Sequence, residues 1–136
     1  MLERLILLAA IAVVGVGAYA LGTRWQVSRI AQRPADPVLA ALRPGVPAVV
    51  YFWGASCAPC QLVQKPALEQ LKQALGPDGV QVIAVDAEAE TALADGWGVL
   101  GLPTTFILDA AGQPRGVNHG VVRARELQAQ IERLVA

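Results

Sequence analysis

The sequence predicts an α/β domain, a central mixed sheet of about four strands flanked by helices, preceded by an N-terminal transmembrane helix. Three observations carry this. Residues 5–23 contain no charged side chain. Downstream, short β-branched and aromatic runs alternate with stretches of helical periodicity. Cys57 and Cys60, the only cysteines, stand three positions apart where one such run gives way to a helix.

The chain has 136 residues, enough for one domain with its own core and a small appendage. Eleven basic and eleven acidic residues cancel, so no global field gathers nucleic acid, and no nucleic-acid partner is expected. Two cysteines cannot build the multi-bridge framework of a small secreted domain; they suggest chemistry rather than scaffolding.

The division expected is an anchor or uncleaved signal over 1–24, a connector with a short helix over 25–45 and a domain over 46–136. From Leu5 to Thr23 a helix rising about 1.5 Å per residue spans close to the roughly 30 Å hydrocarbon core of a bilayer. Tyr19 and Trp25 suit one interface, and Arg24 ends the apolar run. Arg4 ahead of the run, with Ala18-Tyr19-Ala20 inside it, also fits a cleaved signal peptide. Arg24, Arg29 and Arg33 follow the span and would by themselves hold the domain in the cytoplasm. A single N-terminal apolar helix commonly acts as an export signal, however, and long C-terminal domains cross largely regardless of charge. The expectation is a single-pass membrane protein with its domain extracytoplasmic.

Pro34, Pro37, Pro44 and Pro47 mark the connector, with one or two helical turns between Val38 and Arg43. Ala48 to Trp53 is apolar at nearly every position and reads as a central strand covered on both faces. Leu62, Val63, Pro66, Leu68, Leu71 and Leu75 mark an amphipathic helix, kinked at Pro66 and ended by Gly76-Pro77. Val80 to Val85 is a second strand, parallel to the first through a right-handed crossover. Ala87 to Ala94 suggests a short helix closing near Gly96, with Asp86 as a capping residue. Thr104 to Leu108, the turn Asp109-Ala110-Ala111-Gly112 and Arg115 to Asn118 read as an antiparallel pair. Leu127, Ile131, Leu134 and Val135 form the apolar face of a closing helix.

At the start of the first of these amphipathic helices, unpaired backbone N–H groups and the helix dipole favour negative charge, which suits a thiolate at Cys57. Cys60, almost one turn on, is within reach of a mixed disulfide formed at Cys57. Pro59 has no N–H to leave unpaired and pre-sets the helical φ. Half a zinc site would need two further ligands, and His119 offers one, so no metal is expected. His119 otherwise reads as a surface or strand-end residue.

The run Tyr51-Phe52-Trp53-Gly54-Ala55-Ser56-Cys57-Ala58-Pro59-Cys60, with Gly101-Leu102-Pro103-Thr104, resembles the thioredoxin superfamily. The resemblance implies a thioredoxin fold and a thiol-disulfide oxidoreductase acting on protein thiols or disulfides without a cofactor. Cys57 would be the nucleophile and Cys60 the resolving sulfur. Pro103 would be a cis-proline facing the cysteines, Leu102 would offer its backbone to an extended substrate, and Gly120 would match a glycine of a third substrate-contacting loop. Trp53 would support the active-site helix, with Ala58 and Pro59 on the substrate face. Tyr51 stands where cytosolic relatives keep a buried aspartate, Val82 replaces its usual lysine neighbour, Ser56 replaces a tryptophan, and Pro66 falls one residue later than the usual kink proline. The other reading is a tethered binding or metal-delivery module without significant redox turnover.

Overall fold

The computed structural model describes residues 1–31 and 36–135. Arg33 and Pro34, read above as part of the connector, lie outside the described residues. Helix α1 (Leu2–Ala31) is long and apolar, with mean hydropathy 2.4 over an 18-residue window inside Leu2–Ser28 and none of that window buried. By length and composition it can cross a membrane, a property it shares with signal sequences. The helix continues past Thr23, where the chain was expected to leave the lipid. Its C-terminal part rests on the domain: Gln26 Nε2 donates to the carbonyls of Trp97 at 2.9 Å and Gly98 at 2.8 Å.

The domain follows as α2 (Pro37–Ala40), β1 (Ala48–Trp53), a π-helical turn (Cys60–Gln64), α3 (Lys65–Leu75), β2 (Gln81–Asp86), α4 (Thr91–Gly96), β3 (Thr104–Leu108), β4 (Pro114–His119) and α5 (Ala124–Val135). The sheet order is β2-β1-β3-β4, with β1 and β2 parallel and β3 antiparallel to both β1 and β4. This is the four-stranded mixed sheet expected.

Strand β1 alternates its side chains between two cores, as the pleat requires. Ala48, Val50 and Phe52 face one side with Val38, Trp97, Phe106 and Leu108. There Trp97 meets Phe106 edge-on at 4.9 Å between ring centroids, and Phe52 stands 5.7 Å from each. Burying each of these side chains contributes about 1.5–3 kcal/mol before the entropy cost of ordering it. Val49 and Tyr51 face the other side with Cys60, Leu68, Leu71, Ile107, Leu127 and Ile131, under α3 and α5. Asp36 joins the connector to the aromatic core. One carboxylate oxygen caps α2 by accepting the Val38 N–H at 2.8 Å, and the other accepts the buried Trp97 Nε1–H at 2.7 Å.

Three local expectations change. Leu62 and Val63 are 75% and 50% exposed, because at about 100° per residue back from Leu68 and Leu71 both fall well off the buried stripe. Pro66 stands at the start of α3, directly after the π-helical turn Cys60–Gln64, a place where helices bend. The helix expected from Ala87 begins only at Thr91, because the Asp86 carboxylate accepts the N–H groups of Glu88 and Ala89 and holds 87–89 as a turn. Val135 is exposed, since eight residues beyond Leu127 it falls about 80° off the buried stripe at about 100° per residue.

Candidate active site

Sheet register builds the site. Phe52 pairs with Thr104, which sets Trp53 and Gly54 beside Pro103 and Leu102. Thr104 pairs in turn with His119, which sets Gly120 beside Pro103. The C-terminal ends of β1 and β4 and the start of β3 therefore meet at one end of the sheet, where the cysteine segment leaves β1. The resemblance implied that residues 53–60, 102–103 and 120 are neighbours; their spacing along the chain alone does not.

Cys57 and Cys60 are joined, with 2.12 Å between sulfurs and 5.3 Å between Cα atoms. Cys57 is partly exposed, its N–H bonded to Gly54 O at 3.1 Å, and Cys60 is fully buried. Ala58 and Pro59 are exposed and open the helical turn. The Cys60 N–H points at the Cys57 sulfur across 3.2 Å, a backbone donor aimed where a thiolate would carry its charge.

The Leu102–Pro103 peptide bond is cis, as the resemblance implied. Pro103 is buried, its carbonyl accepting the Gly120 N–H at 2.9 Å, while the Leu102 side chain lies in the cluster that also holds Trp53 and Cys57. Gly120 has φ +86°, in the left-handed region that favours glycine. A Cβ at Gly54 would come within 2.6 Å of Glu88 Oε1 and 2.9 Å of Leu102 Cδ1, so the ends of both side chains would have to shift.

Tyr51, 5% exposed, donates its hydroxyl to the Cys60 carbonyl at 2.7 Å. Burial raises its pKa above the ordinary tyrosine value, so near neutral pH it is a hydrogen-bond donor and not a base. A cavity of about 260 Å³, lined by Trp53, Gln61, Lys65 and Val82 among others, opens beside it.

Three contacts of the site were not legible in the sequence. Glu88 takes both the hydroxyl and the N–H of Ser56, the residue before Cys57. Gln64 is fully buried and bonds both backbone groups of Val122. Gly54 is fixed by neighbours from two other segments. The signal for Gln64 is its spacing, four residues before Leu68 and seven before Leu71, which puts a polar residue on the buried stripe. His119 is exposed at the end of β4 and meets Tyr19 edge-on at 6.4 Å. Among the described residues no cluster of three or more His, Cys, Asp or Glu is arranged to hold a metal.

Comparison with known proteins places this geometry. The chain is 36% identical over 86 residues to "Thioredoxin Y, chloroplastic" of Oryza sativa subsp. japonica, covering 63% of this chain and 49% of that one. It is 33% identical to "Thiol:disulfide interchange protein HelX" of Rhodobacter capsulatus, covering 54% of this chain and 52% of that one. The chain thus spans about half the length of these curated relatives. Among solved structures, mitochondrial thioredoxin 3 from Saccharomyces cerevisiae in its oxidized form aligns with TM-score 0.60 and 25% identity, over 73% of this chain and 86% of that one. The sequence model of the family described as Thioredoxin matches residues 39–133, from the end of α2 through most of α5, so the chain belongs to the thioredoxin family.

Proposed function

We propose that the chain is a thiol-disulfide oxidoreductase that exchanges dithiol and disulfide with protein substrates through Cys57-Ala58-Pro59-Cys60. The observation that carries this is the asymmetry of the pair: an accessible sulfur at a helix start, its buried partner one turn on. The Cys57 thiolate attacks one sulfur of a substrate disulfide, forming a mixed disulfide and expelling the other substrate sulfur as thiolate. Cys60, having lost its proton to solvent, attacks Cys57 Sγ; the bond from Cys57 to the substrate breaks, the substrate sulfur leaves as a thiolate that takes up a proton, and the intramolecular disulfide and a fully reduced substrate remain. The reverse sequence oxidises a substrate dithiol. Leu102, Pro103 and Gly120 form the platform for an extended substrate strand, Ala58 and Pro59 its floor, and Trp53 the support of the active-site helix.

In the same reading α1 anchors the chain in a membrane, single-pass, with the domain on the extracytoplasmic side. The length and apolarity of α1 support the anchor. A reporter fused to the C-terminus and active only in the cytoplasm would overturn the placement.

The deciding experiment is trapping. With Cys60→Ser the second step is blocked, and incubation with an oxidised protein substrate accumulates a mixed disulfide at Cys57 that dithiothreitol releases. Absence of any trapped species, with Cys57 accessible to alkylation, sinks the exchange reading.

A further inference from the structure

The segment after the cysteines departs from a regular helix at the place where its one buried polar side chain enters the core. The Lys65 N–H bonds to the Cys60 carbonyl, five residues back, so the turn carries one residue more than an α-turn. Gln64, four residues before Leu68 and seven before Leu71, falls on the buried face of the helix, where it is 0% exposed.

There Gln64 Nε2 donates to the Val122 carbonyl at 3.0 Å, and Gln64 Oε1 accepts the Val122 N–H at 2.9 Å. Val122 lies between β4 and α5 and is itself buried, so its backbone groups take from Gln64 what a strand would otherwise supply. Two residues earlier, Gly120 donates its N–H to the Pro103 carbonyl at 2.9 Å. A continuous set of bonds therefore runs from the turn that carries Cys60, through Gln64 and Val122, to Gly120 and Pro103. The Cys60 carbonyl is held at its own end by two donors, Tyr51 Oη–H and the Lys65 N–H.

We propose that Gln64 is a positioning residue for disulfide exchange: by clamping Val122 it fixes the Gly120 loop relative to the cysteine turn, and so sets where a protein substrate's backbone lies against Cys57. This rests on the exchange reading above. Gln64 touches neither sulfur nor substrate; its effect falls on substrates that use the platform. A small disulfide, which meets Cys57 alone, is indifferent to it.

The test uses the full chain in detergent micelles with dithiothreitol as reductant, insulin as the protein disulfide and a small aromatic disulfide as the second substrate. Gln64→Leu removes both bonds and leaves the Val122 groups unpaired. The expected result is a KM for insulin raised about tenfold, below the roughly 100-fold that a 1 Å misplacement can cost, with kcat/KM for the small disulfide lowered less than about twofold. Gln64→Glu supplies a second reading should the leucine variant not fold. A protonated carboxyl reproduces the donor and acceptor of the amide, whereas a carboxylate faces the Val122 carbonyl with no proton. Its insulin KM, taken as a ratio to wild type at each pH, should be near one at about pH 5 and rise severalfold by about pH 8. Equal losses with both substrates, no loss with either, or a ratio flat with pH would overturn the positioning role. A wild-type chain active on neither substrate would overturn the exchange reading and this inference with it; an active wild type with unsplit variants overturns this inference alone.

Discussion

Replacing Tyr51 by phenylalanine asks what has taken the place of a buried acid beneath the cysteines. The substitution keeps the ring and deletes one hydroxyl, which donates 2.7 Å to the Cys60 carbonyl in a buried setting. That carbonyl retains the Lys65 N–H, so no acceptor is orphaned and the cost is that of one ordinary hydrogen bond, about 1 kcal/mol. For a domain of about 60–100 residues this lowers Tm by about 4–8 °C, readable through the fluorescence of the buried Trp97. The alkaline limb supplies a sign. Burial raises the Tyr51 pKa, so above about pH 10 the unfolded chain loses this proton first and the folded state holds more protons. The contribution is fully present below the unfolded pKa and is lost as pH climbs through the folded one; the phenylalanine variant lacks that loss. Because Tyr51 donates to a backbone carbonyl, the neutral-pH profile of exchange should not move. A tenfold slower exchange or a displaced neutral limb, with stability unchanged, would show that the hydroxyl handles the Cys60 proton and refute the reasoning.

Asp36→Ala removes a helix cap and a charge-assisted bond to the Trp97 indole, and should cost about 3 kcal/mol in denaturant unfolding; a loss below about 1 kcal/mol contradicts the assignment. Gly54→Ala places a Cβ against the side-chain ends of Glu88 and Leu102, and kcat/KM with insulin should fall about tenfold as Leu102 is displaced, with a smaller change for a small disulfide. Desolvation alone would raise the Asp109 carboxyl, but the Gln113 N–H, the Arg115 guanidinium and the Ala111 N–H outweigh it and hold the pKa below the usual value. Its contribution is present above the unfolded carboxylate pKa of about 3.9 and lost as pH falls through the lower folded value, so Asp109→Asn should flatten the acid limb of a stability-against-pH curve.

Features set by neighbours along the chain are legible in the sequence. Ala48 to Trp53 and Thr104 to Leu108 are continuous apolar runs, and they form strands with those bounds. Gly76 and Gly112 end a helix and a turn because each takes a positive φ. The cysteine pair could be placed at a helix start because a strand-like run precedes it and a helical period follows. Local backbone preference and side-chain period are properties of short segments, so sequence by itself determined the elements, their order and the two sulfurs. It could not show the π-helical turn between Cys60 and Gln64, which no side-chain period marks. Nor could it bring Gln64 to Val122, 58 residues away, or Asp36 to Trp97, 61 away, since these buried polar groups find partners only once the layers pack. Packing settled what surrounds the sulfurs: strand register brings Gly54, Leu102-Pro103 and Gly120 together from three distant segments, a tyrosine hydroxyl bonds the Cys60 carbonyl, and a glutamine amide bonds Val122.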